Sequence, residues 1–457
     1  MELLLELGGD IVTGIIDAED DNGSTALDYA LKLNEPECIS MLLEKGAEMD
    51  VETIQNIARW EMTSGQSAVT PVLAEALVRR REKLLCVANE TIEGRKLLDS
   101  LRLKKENLVQ EDAFELVQAL REKGVSLPKA FQSVQPGSVY HCAYMNDETA
   151  ESLLSAGFTH TDVEFLGFTP LMTIDLVGLS HRYESKIMYS HSALGLVDWF
   201  LNHGEDLNRP IPADAVTRRT AIRGDTSHDV CLVHRIAREL GQSMRYQTAF
   251  GSERHTAVLQ RVLTSPGLDS CECLCTQNGC SAASILAREV WKLANGTITP
   301  GEVSGFDRTN WRVIMDLLTS RLSDHPGARQ FASDFIRLST FERIGMSHTC
   351  CKYIDNSGKY EEPGNGVTFA ILKGEYKMVE IMDPSEVSEI QEEERYLAGL
   401  LEALMEEFEV KYEELGLSLA EFFLTYWWVH MDEVDAGNKV SREELEALWT
   451  TGAVLDA

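Results

Sequence analysis

Apolar residues recur at intervals of three and four positions along most of the chain, and short polar or glycine-containing segments separate these stretches. This period places the apolar side chains on one face of an α-helix. It predicts one helix that begins at Thr70, a second over 112–120, and a long amphipathic helix over 397–415 that ends before Gly416. The pattern indicates an all-α fold.

A second pattern has a longer period. Gly124 and Gly157 lie 33 residues apart, and the sequence between them predicts a turn followed by two helices. Ser138 has the side chain of an N-cap for the first helix, His141 follows three residues later, and apolar residues over 149–154 supply the second helix. One helix pair cannot bury its own apolar face, so we expect neighbouring pairs to stack.

Similar units precede and follow this one. Thr25 is placed to begin a helix, and Gly46 follows the second helix of that unit. After Gly157, Thr169 is a natural N-cap, and Pro170 occupies the first helical position, where a missing N–H is tolerated. The helix pair is therefore predicted to repeat along the chain.

The repeat spacing is not uniform. Gly157 and Gly204 are 47 residues apart, about 14 more than one unit, so we expect an inserted loop over 175–190. Residues 224–228, followed by Val233 and Ile236, predict the opening of a further unit.

The motifs that begin these units, Ser138 to His141 and Thr169-Pro170-Leu171, resemble the ankyrin-repeat family. The resemblance implies an irregular ankyrin-type α-solenoid of helix-turn-helix repeats, with a Cys-rich helical part and an acidic C-terminal helical cap. His141 is expected to bond a hairpin backbone rather than to perform acid–base chemistry. The residues with structural roles in the repeats are then Thr25, Gly46, Ser138, His141, Gly157, Thr169, Pro170 and Gly204.

Residues 4–11 match only the end of a unit, so we expect a truncated gene model, a cloned fragment or a longer parent chain. The patterns predict five parts: N-terminal repeats, the first incomplete, at 1–50; degenerate repeats or a helical linker at 51–124; repeats with insertions at 125–246; a Cys-rich helical region, either repeat-like or not, at 247–384; and acidic helices at 385–457.

The acidic helices carry strong local signals. Ser418 with Glu421 forms a capping box, and an aromatic stripe that includes Phe423 and Trp427 follows it. We expect this stripe to pack against the repeats as a cap, because the end of a repeat array needs covering. The alternative interpretation is a ligand for the groove of a basic partner.

The charge narrows the classes of partner. The formal net charge is −32, which disfavours binding to nucleic acid, because phosphate backbones are bound by lysine and arginine. The apolar runs are shorter than the ~18 residues of a membrane span, and the first residues carry acid where a secretion signal carries base. These observations predict a cytoplasmic or nuclear protein that does not bind membranes.

Ten cysteines are present, and six of them form two clusters. Structural zinc takes four sulfur or nitrogen ligands in a tetrahedron, and the clusters offer enough donors for one ion. The alternative is that the thiols simply pack in turns and helix starts. The candidate zinc ligands are Cys271, Cys273, Cys275, Cys280, His348, Cys350 and Cys351.

The Cys-x-Cys-x-Cys turn and the segment over 341–351, together with the repeats, also resemble a group of uncharacterised ankyrin-repeat proteins of filamentous fungi with a Cys-rich C-terminal half. That resemblance implies no activity. The motifs of phosphate-binding loops, serine hydrolases and zinc proteases are absent from the sequence.

The sequence therefore favours a non-catalytic scaffold that binds another protein through its hairpin tips and inner helices. A metal-dependent enzyme that uses the thiol clusters and a ubiquitin-ligase adaptor are the alternatives. The predicted contact regions are 162–166, 202–208 and the loop over 175–190. The residues expected to contact the partner are Asp162, Glu164, Phe165, Asn202, His203, Glu205 and Asp206.

Overall fold

The protein is described by a computed structural model, and its regular structure is mostly helical. The chain forms two compact units. Unit 1 comprises residues 1–217, 248–258 and 353–379, and unit 2 comprises 218–247, 259–352 and 380–457. The structure describes residues 15–21, 24–33, 35–47, 70–100, 110–127, 131, 138–141, 145–165, 167–174, 186–212, 216–218, 230–243, 253–269, 271–276, 279–294, 327–350, 352–353 and 379–438.

The helices follow the sequence pattern closely, and Gly416 ends one of them in a left-handed conformation, as predicted. In chain order they are α1 Ala26–Lys32, α2 Pro36–Glu44, α3 Thr70–Glu90, α4 Ile92–Ser100, α5 Gln110–Glu122, α6 Asp147–Ser155, α7 Pro170–Thr173, α8 Lys186–Asn202, α9 Leu232–Ser243, α10 Glu253–Leu263, α11 Ala282–Ala294, α12 Gly327–Arg343, α13 Pro384–Glu393, α14 Arg395–Leu415, α15 Leu419–Phe422 and α16 Trp428–Asn438.

Three short strands were not predicted. They are β1 Val216–Arg218, β2 Lys352–Tyr353 and β3 Val379–Ile381, and they form a sheet of order β1-β3-β2. Strands of two or three residues are too short to show the alternation of apolar and polar residues that indicates a strand, so the sequence pattern did not predict them. The fold remains all-α in class. Within the described part of the chain, no helix is both long and apolar enough to cross a bilayer.

Successive helix pairs pack as the repeat pattern predicts. In unit 1, α1 packs on α2, α2 on α3, and α3 on α6, which in turn contacts α8. In unit 2, α9 packs on α11, α11 on α12, and α12 on α14. Thr25 begins α1 with the predicted N-cap, and its capping box is closed by Asp28. Gly46, Gly157 and Gly204 all take positive φ angles after a helix.

His141 connects two successive repeats. Its Nδ1 accepts the Ser138 backbone N–H at 3.0 Å, and its Nε2 lies 3.0 Å from the Phe168 carbonyl oxygen, to which it donates. Burial lowers the pKa of His141 to about 4, so the ring is neutral and can serve as acceptor and donor at once. The predicted role in bonding a hairpin backbone is confirmed.

The next repeat begins with Thr169 and Pro170. Thr169 has the extended backbone of an N-cap and Pro170 lies at the first helical position, as predicted. The Thr169 hydroxyl, however, makes no capping bond, and α7 has only four residues. Of the loop predicted over 175–190, residues 175–185 lie outside the described residues. Residues 186–190 are already part of α8, because they contain no glycine or proline to stop a helix.

The opening of the repeat predicted at residues 224–228 lies outside the described residues. Val233 and Ile236, which the prediction placed after it, lie on α9, and Cys231, just before that helix, is the structural equivalent of Ser138. The Cys231 N–H donates to Nδ1 of His234 at 3.0 Å, and His234 Nε2 lies 3.2 Å from the Gly267 carbonyl oxygen. This is the arrangement of His141 with a thiol residue in the N-cap position. The three-residue spacing from Cys231 to His234 was the signal that could have located it.

The acidic helices form the predicted cap within unit 2. The capping box of Ser418 and Glu421 begins α15, and residues Phe423–Trp427 then form one π-helical turn. Trp427 is fully buried, and its Nε1 donates to Oγ1 of Thr340 on α12 at 3.0 Å. The sequence also predicts a capping box of Ser441 with Glu444, and both residues lie outside the described residues.

Candidate metal centre

Five thiols and one imidazole converge in unit 2. Sγ of Cys350 lies 3.2 Å from Sγ of Cys275, 3.6 Å from Sγ of Cys280 and 3.4 Å from Nδ1 of His348. Sγ of Cys273 lies 3.8 Å from the same Nδ1. The two sequence clusters are about 75 residues apart, so the fold brings together residues that are distant in sequence. Six of the seven predicted ligands meet here, and Cys351 lies outside the described residues.

The turn that carries the first cysteines lies between α10 and α11, and α12 holds it in place. Arg337 on α12 donates from Nε to the Leu274 carbonyl oxygen at 3.1 Å, and its guanidinium also pairs with Glu402 on α14. Gln391 donates to the Glu272 carbonyl oxygen at 2.6 Å. His348 and Cys350 follow the end of α12, so the same helix positions both ligand segments.

Asp269 fixes the two outer cysteines of the turn. Its Oδ1 accepts the backbone N–H groups of Cys271 at 3.1 Å and of Cys280 at 2.6 Å. Gly279 has φ of +95°, and a Cβ there would lie 2.3 Å from the Asp269 carbonyl oxygen, so glycine is required. Burial raises the pKa of Asp269 to about 6, although the two N–H donors oppose that shift. The backbone that carries the thiols of Cys271 and Cys280 is therefore constrained.

His348 has the environment of a metal ligand. Its Nδ1 faces the thiols, while Nε2 lies 2.8 Å from Oε1 of Glu342 on α12. Metal-binding histidines usually donate their second ring N–H to a carboxylate, which fixes the tautomer and orients the ring. Glu342 supplies that carboxylate. It was not predicted, because one glutamate in an acidic chain carries no signal until the histidine is placed beside it.

A buried cation lies beside the thiols. Arg288 on α11 is 8% exposed. Burial by itself would lower its pKa, but the charges of Cys350, Cys280 and Glu289 outweigh burial and raise it. A guanidinium at this depth needs anionic neighbours, since an unpaired buried charge is costly. The Glu289 carboxylate supplies one such neighbour, and thiolates, the form in which cysteine binds metal, would supply others.

The donor atoms fit a tetrahedral zinc site. Cys273, Cys275, His348 and Cys350 each offer one atom, and these atoms lie within 4.8 Å of one another. Zinc–sulfur bonds of about 2.3 Å in a tetrahedron place two sulfurs ~3.8 Å apart. The sulfur atoms of Cys275 and Cys350 are 3.2 Å apart, somewhat closer than that value, and Nδ1 of His348 lies 3.4 Å from Sγ of Cys350 and 3.8 Å from Sγ of Cys273. Three thiolates and one imidazole make a closed structural zinc set.

The same atoms also have the order of a nucleophilic triad, with Cys350, His348 and Glu342 in sequence. Such a thiol must be reached by a substrate. Cys350 is only 4% exposed, and its Sγ is in contact with Cys275 and Cys280. The burial of this thiol therefore favours metal binding over covalent catalysis.

The predicted partner-binding residues lie on two consecutive hairpins of unit 1. Asp162, Glu164, Asn202, His203 and Asp206 are exposed, and Phe165 is half-buried. The prediction that Glu205 contacts a partner is corrected, because Glu205 is only 6% exposed and its side chain is buried. The nearest polar groups are the Thr169 hydroxyl and the Leu171 N–H. Among the described residues, neither Glu205 oxygen has a partner with normal hydrogen-bond geometry.

The buried carboxyl group of Glu205 makes the stability of the chain depend on pH. Burial raises the pKa of Glu205 from 4.5 to about 7. The folded state then binds this proton more tightly than the unfolded state, so the contribution is complete below pH 4.5 and is lost as pH rises through 7. We expect Glu205→Gln to raise the free energy of unfolding at pH 8 by up to about 3 kcal/mol and to change it little at pH 4.5. Urea denaturation at both pH values measures this difference.

The control for this prediction is Glu90→Gln, because Glu90 is an exposed carboxylate of the same unit at the end of α3. Its substitution should leave the pH dependence of the free energy of unfolding unchanged. If Glu205→Gln and the wild-type chain lose the same stability between pH 5 and pH 8, Glu205 is ionised in the folded state and the prediction is wrong.

Comparison with known proteins supports the repeat assignment in one segment. No curated protein matches the chain at a significant level. The family model described as ankyrin repeat matches residues 22–54, the segment that contains Thr25, α1, α2 and Gly46. The predicted fold class, an all-α solenoid of ankyrin type, is confirmed by this match and by the helical structure. The chain contains an ankyrin repeat at residues 22–54.

Proposed function

We propose that the chain is a non-catalytic scaffold that binds another protein through the hairpin tips of unit 1. The ankyrin repeat supports an interaction role. The observation that carries the proposal is a set of exposed polar side chains on two adjacent hairpins, namely Asp162 and Glu164 on one and Asn202, His203 and Asp206 on the other. Loops held on a rigid scaffold are common sites of binding.

The two hairpins are fixed relative to one another. Arg209 pairs with Glu164 at 2.8 Å, and Oγ1 of Thr161 donates to the His203 carbonyl oxygen at 3.4 Å. His203 stacks on the ring of Trp199 with 4.1 Å between centroids. A surface that is ordered before binding loses less conformational entropy when it binds, which favours affinity.

The charge of this surface defines the chemistry of the partner. Asp162, Glu164 and Asp206 present exposed carboxylates, and Arg209 is half-buried against Glu164. Complementary charge steers association and selects partners. The partner would therefore offer lysine or arginine side chains, in a protein of the cytoplasm or nucleus. The net charge of −32 disfavours nucleic acid as this partner.

The test is affinity capture with quantitative mass spectrometry from cells that express the tagged full chain. Asp162→Lys is expected to reduce recovery of the specific partners by about tenfold or more, because an attractive contact becomes repulsive while the pair of Glu164 and Arg209 is kept. The matched control is Glu90→Lys, which changes charge equally at an exposed position of the same unit. Equal recovery with both variants would contradict the proposal.

We also propose that one zinc ion supports unit 2, bound by Cys273, Cys275, His348 and Cys350. The support is the convergence of these four donors and the contact of His348 with Glu342. A closed set of four protein ligands suits a structural ion, whereas a catalytic zinc keeps one position for water. The ion would neutralise thiolates and cross-link the two ligand segments. Removal of metal by a chelator, with stability as the readout, tests this role directly.

A further inference from the structure

The cysteine cluster contains more donors than one zinc ion can use. Zinc in structural sites binds four ligands. Cys271 and Cys280 are left over after the first set is filled, yet both are buried, at 9% and 2% exposure. Together with Cys350 they form a second group whose sulfur atoms lie within 4.8 Å of one another. Cys350 is thus common to both groups.

The two remaining thiols are positioned as carefully as the first set. Asp269 accepts the backbone N–H of Cys271 and of Cys280, and Gly279 permits the tight turn that brings these residues together. Cys271 and Cys280 lie nine residues apart, so the loop conformation brings them together, and not adjacency in the sequence. Sγ of Cys280 already lies 3.6 Å from Sγ of Cys350, close to the ~3.8 Å edge of a zinc tetrahedron.

We propose that this cluster binds two zinc ions that share Sγ of Cys350. The first ion is bound by Cys273, Cys275, His348 and Cys350, and the second by Cys271, Cys280 and Cys350. The proposal of a second ion depends on the proposed structural site, because the two ions share the Cys350 thiolate. Three protein donors hold the second ion, so its remaining coordination position takes water or another small donor.

Metal analysis of the purified full chain tests this proposal. We expect two zinc ions per chain in the wild type and one in Cys271→Ser and in Cys280→Ser. Cys86→Ser, which changes an exposed thiol on α3, should keep two ions. One ion in the wild type, unchanged in Cys271→Ser, would overturn the second site and leave the first intact. The absence of zinc from the wild type would overturn both sites.

X-ray absorption at the zinc edge supplies a second test that needs no variant. Two ions that share a thiolate give a zinc–zinc scattering contribution, and a single ion in the first site gives none. The ratio of sulfur ligands to nitrogen or oxygen ligands does not separate the two cases, because each zinc ion has three sulfur ligands and one lighter ligand in both. Zinc-loaded wild-type protein without zinc–zinc scattering would refute the shared cluster even if the serine variants fail to fold.

Discussion

The Cys350→Ser variant is expected to lose the folded structure of the Cys271–Cys280 turn and of the helices that pack around it. Cys350 contacts Cys275, Cys280 and His348, so under the proposed assignment its loss removes a ligand that both zinc ions share. Structural zinc contributes roughly 10–16 kcal/mol in small domains. A whole domain is stable by only about 5–15 kcal/mol. The loss of the proposed zinc would therefore be comparable to the entire stability of unit 2.

Hydrogen exchange measured by mass spectrometry checks this expectation, with and without a zinc chelator. Protection should disappear in α11, α12 and the cysteine turn, both in Cys350→Ser and in the chelated wild type. The helices α1 and α2 of unit 1 should keep their protection. Cys86→Ser is the matched control, because that thiol is exposed on α3. If the chelated wild type keeps full protection in α11 and α12, a structural role for metal in this cluster is ruled out.

The sequence identified the candidate ligands because cysteine and histidine are rare and their chemistry is specific. It could not determine which of them converge, since Cys275 and Cys350 are brought to 3.2 Å only by the packing of α11 and α12. Glu342, Asp269 and Arg288 were missed for a related reason. Acidic and basic residues are abundant in this chain, and each acquires its role only from the neighbours that the fold supplies.

The repeats were predicted where their local signals are strong. Thr25 and His141 follow the expected pattern, and the structure gives each the predicted bonds. The contact of Cys231 with His234 was not predicted, because a thiol is not an expected N-cap side chain. Glu205 was assigned to the partner-binding surface because the residues around it in the sequence are polar. Its neighbours His203 and Asp206 are exposed, and a polar sequence gives no sign that one member turns inward.

The second large expected effect is a loss of stability in Trp427→Ala, which removes a buried side chain of the acidic C-terminal helices. Trp427 is fully buried against α12, and its Nε1 donates to Thr340 at 3.0 Å. Its ring packs against Phe423 at 4.8 Å and Trp291 at 5.8 Å between centroids. Truncation of a buried tryptophan leaves a cavity and typically costs about 3–5 kcal/mol. The Thr340 hydroxyl keeps its own bond to the Ile336 carbonyl oxygen, so the loss comes mainly from packing.

Chemical denaturation of the full chain, followed by tryptophan fluorescence and by far-UV circular dichroism, measures this loss. Val429→Ala is the matched control, because Val429 lies two residues away on α16 and is 55% exposed. Its substitution should change the free energy of unfolding by less than about 0.5 kcal/mol. A cost below about 1 kcal/mol for Trp427→Ala would mean that the aromatic stripe separates readily from α12. The stripe would then be available to a partner protein, which is the alternative that the sequence left open for it.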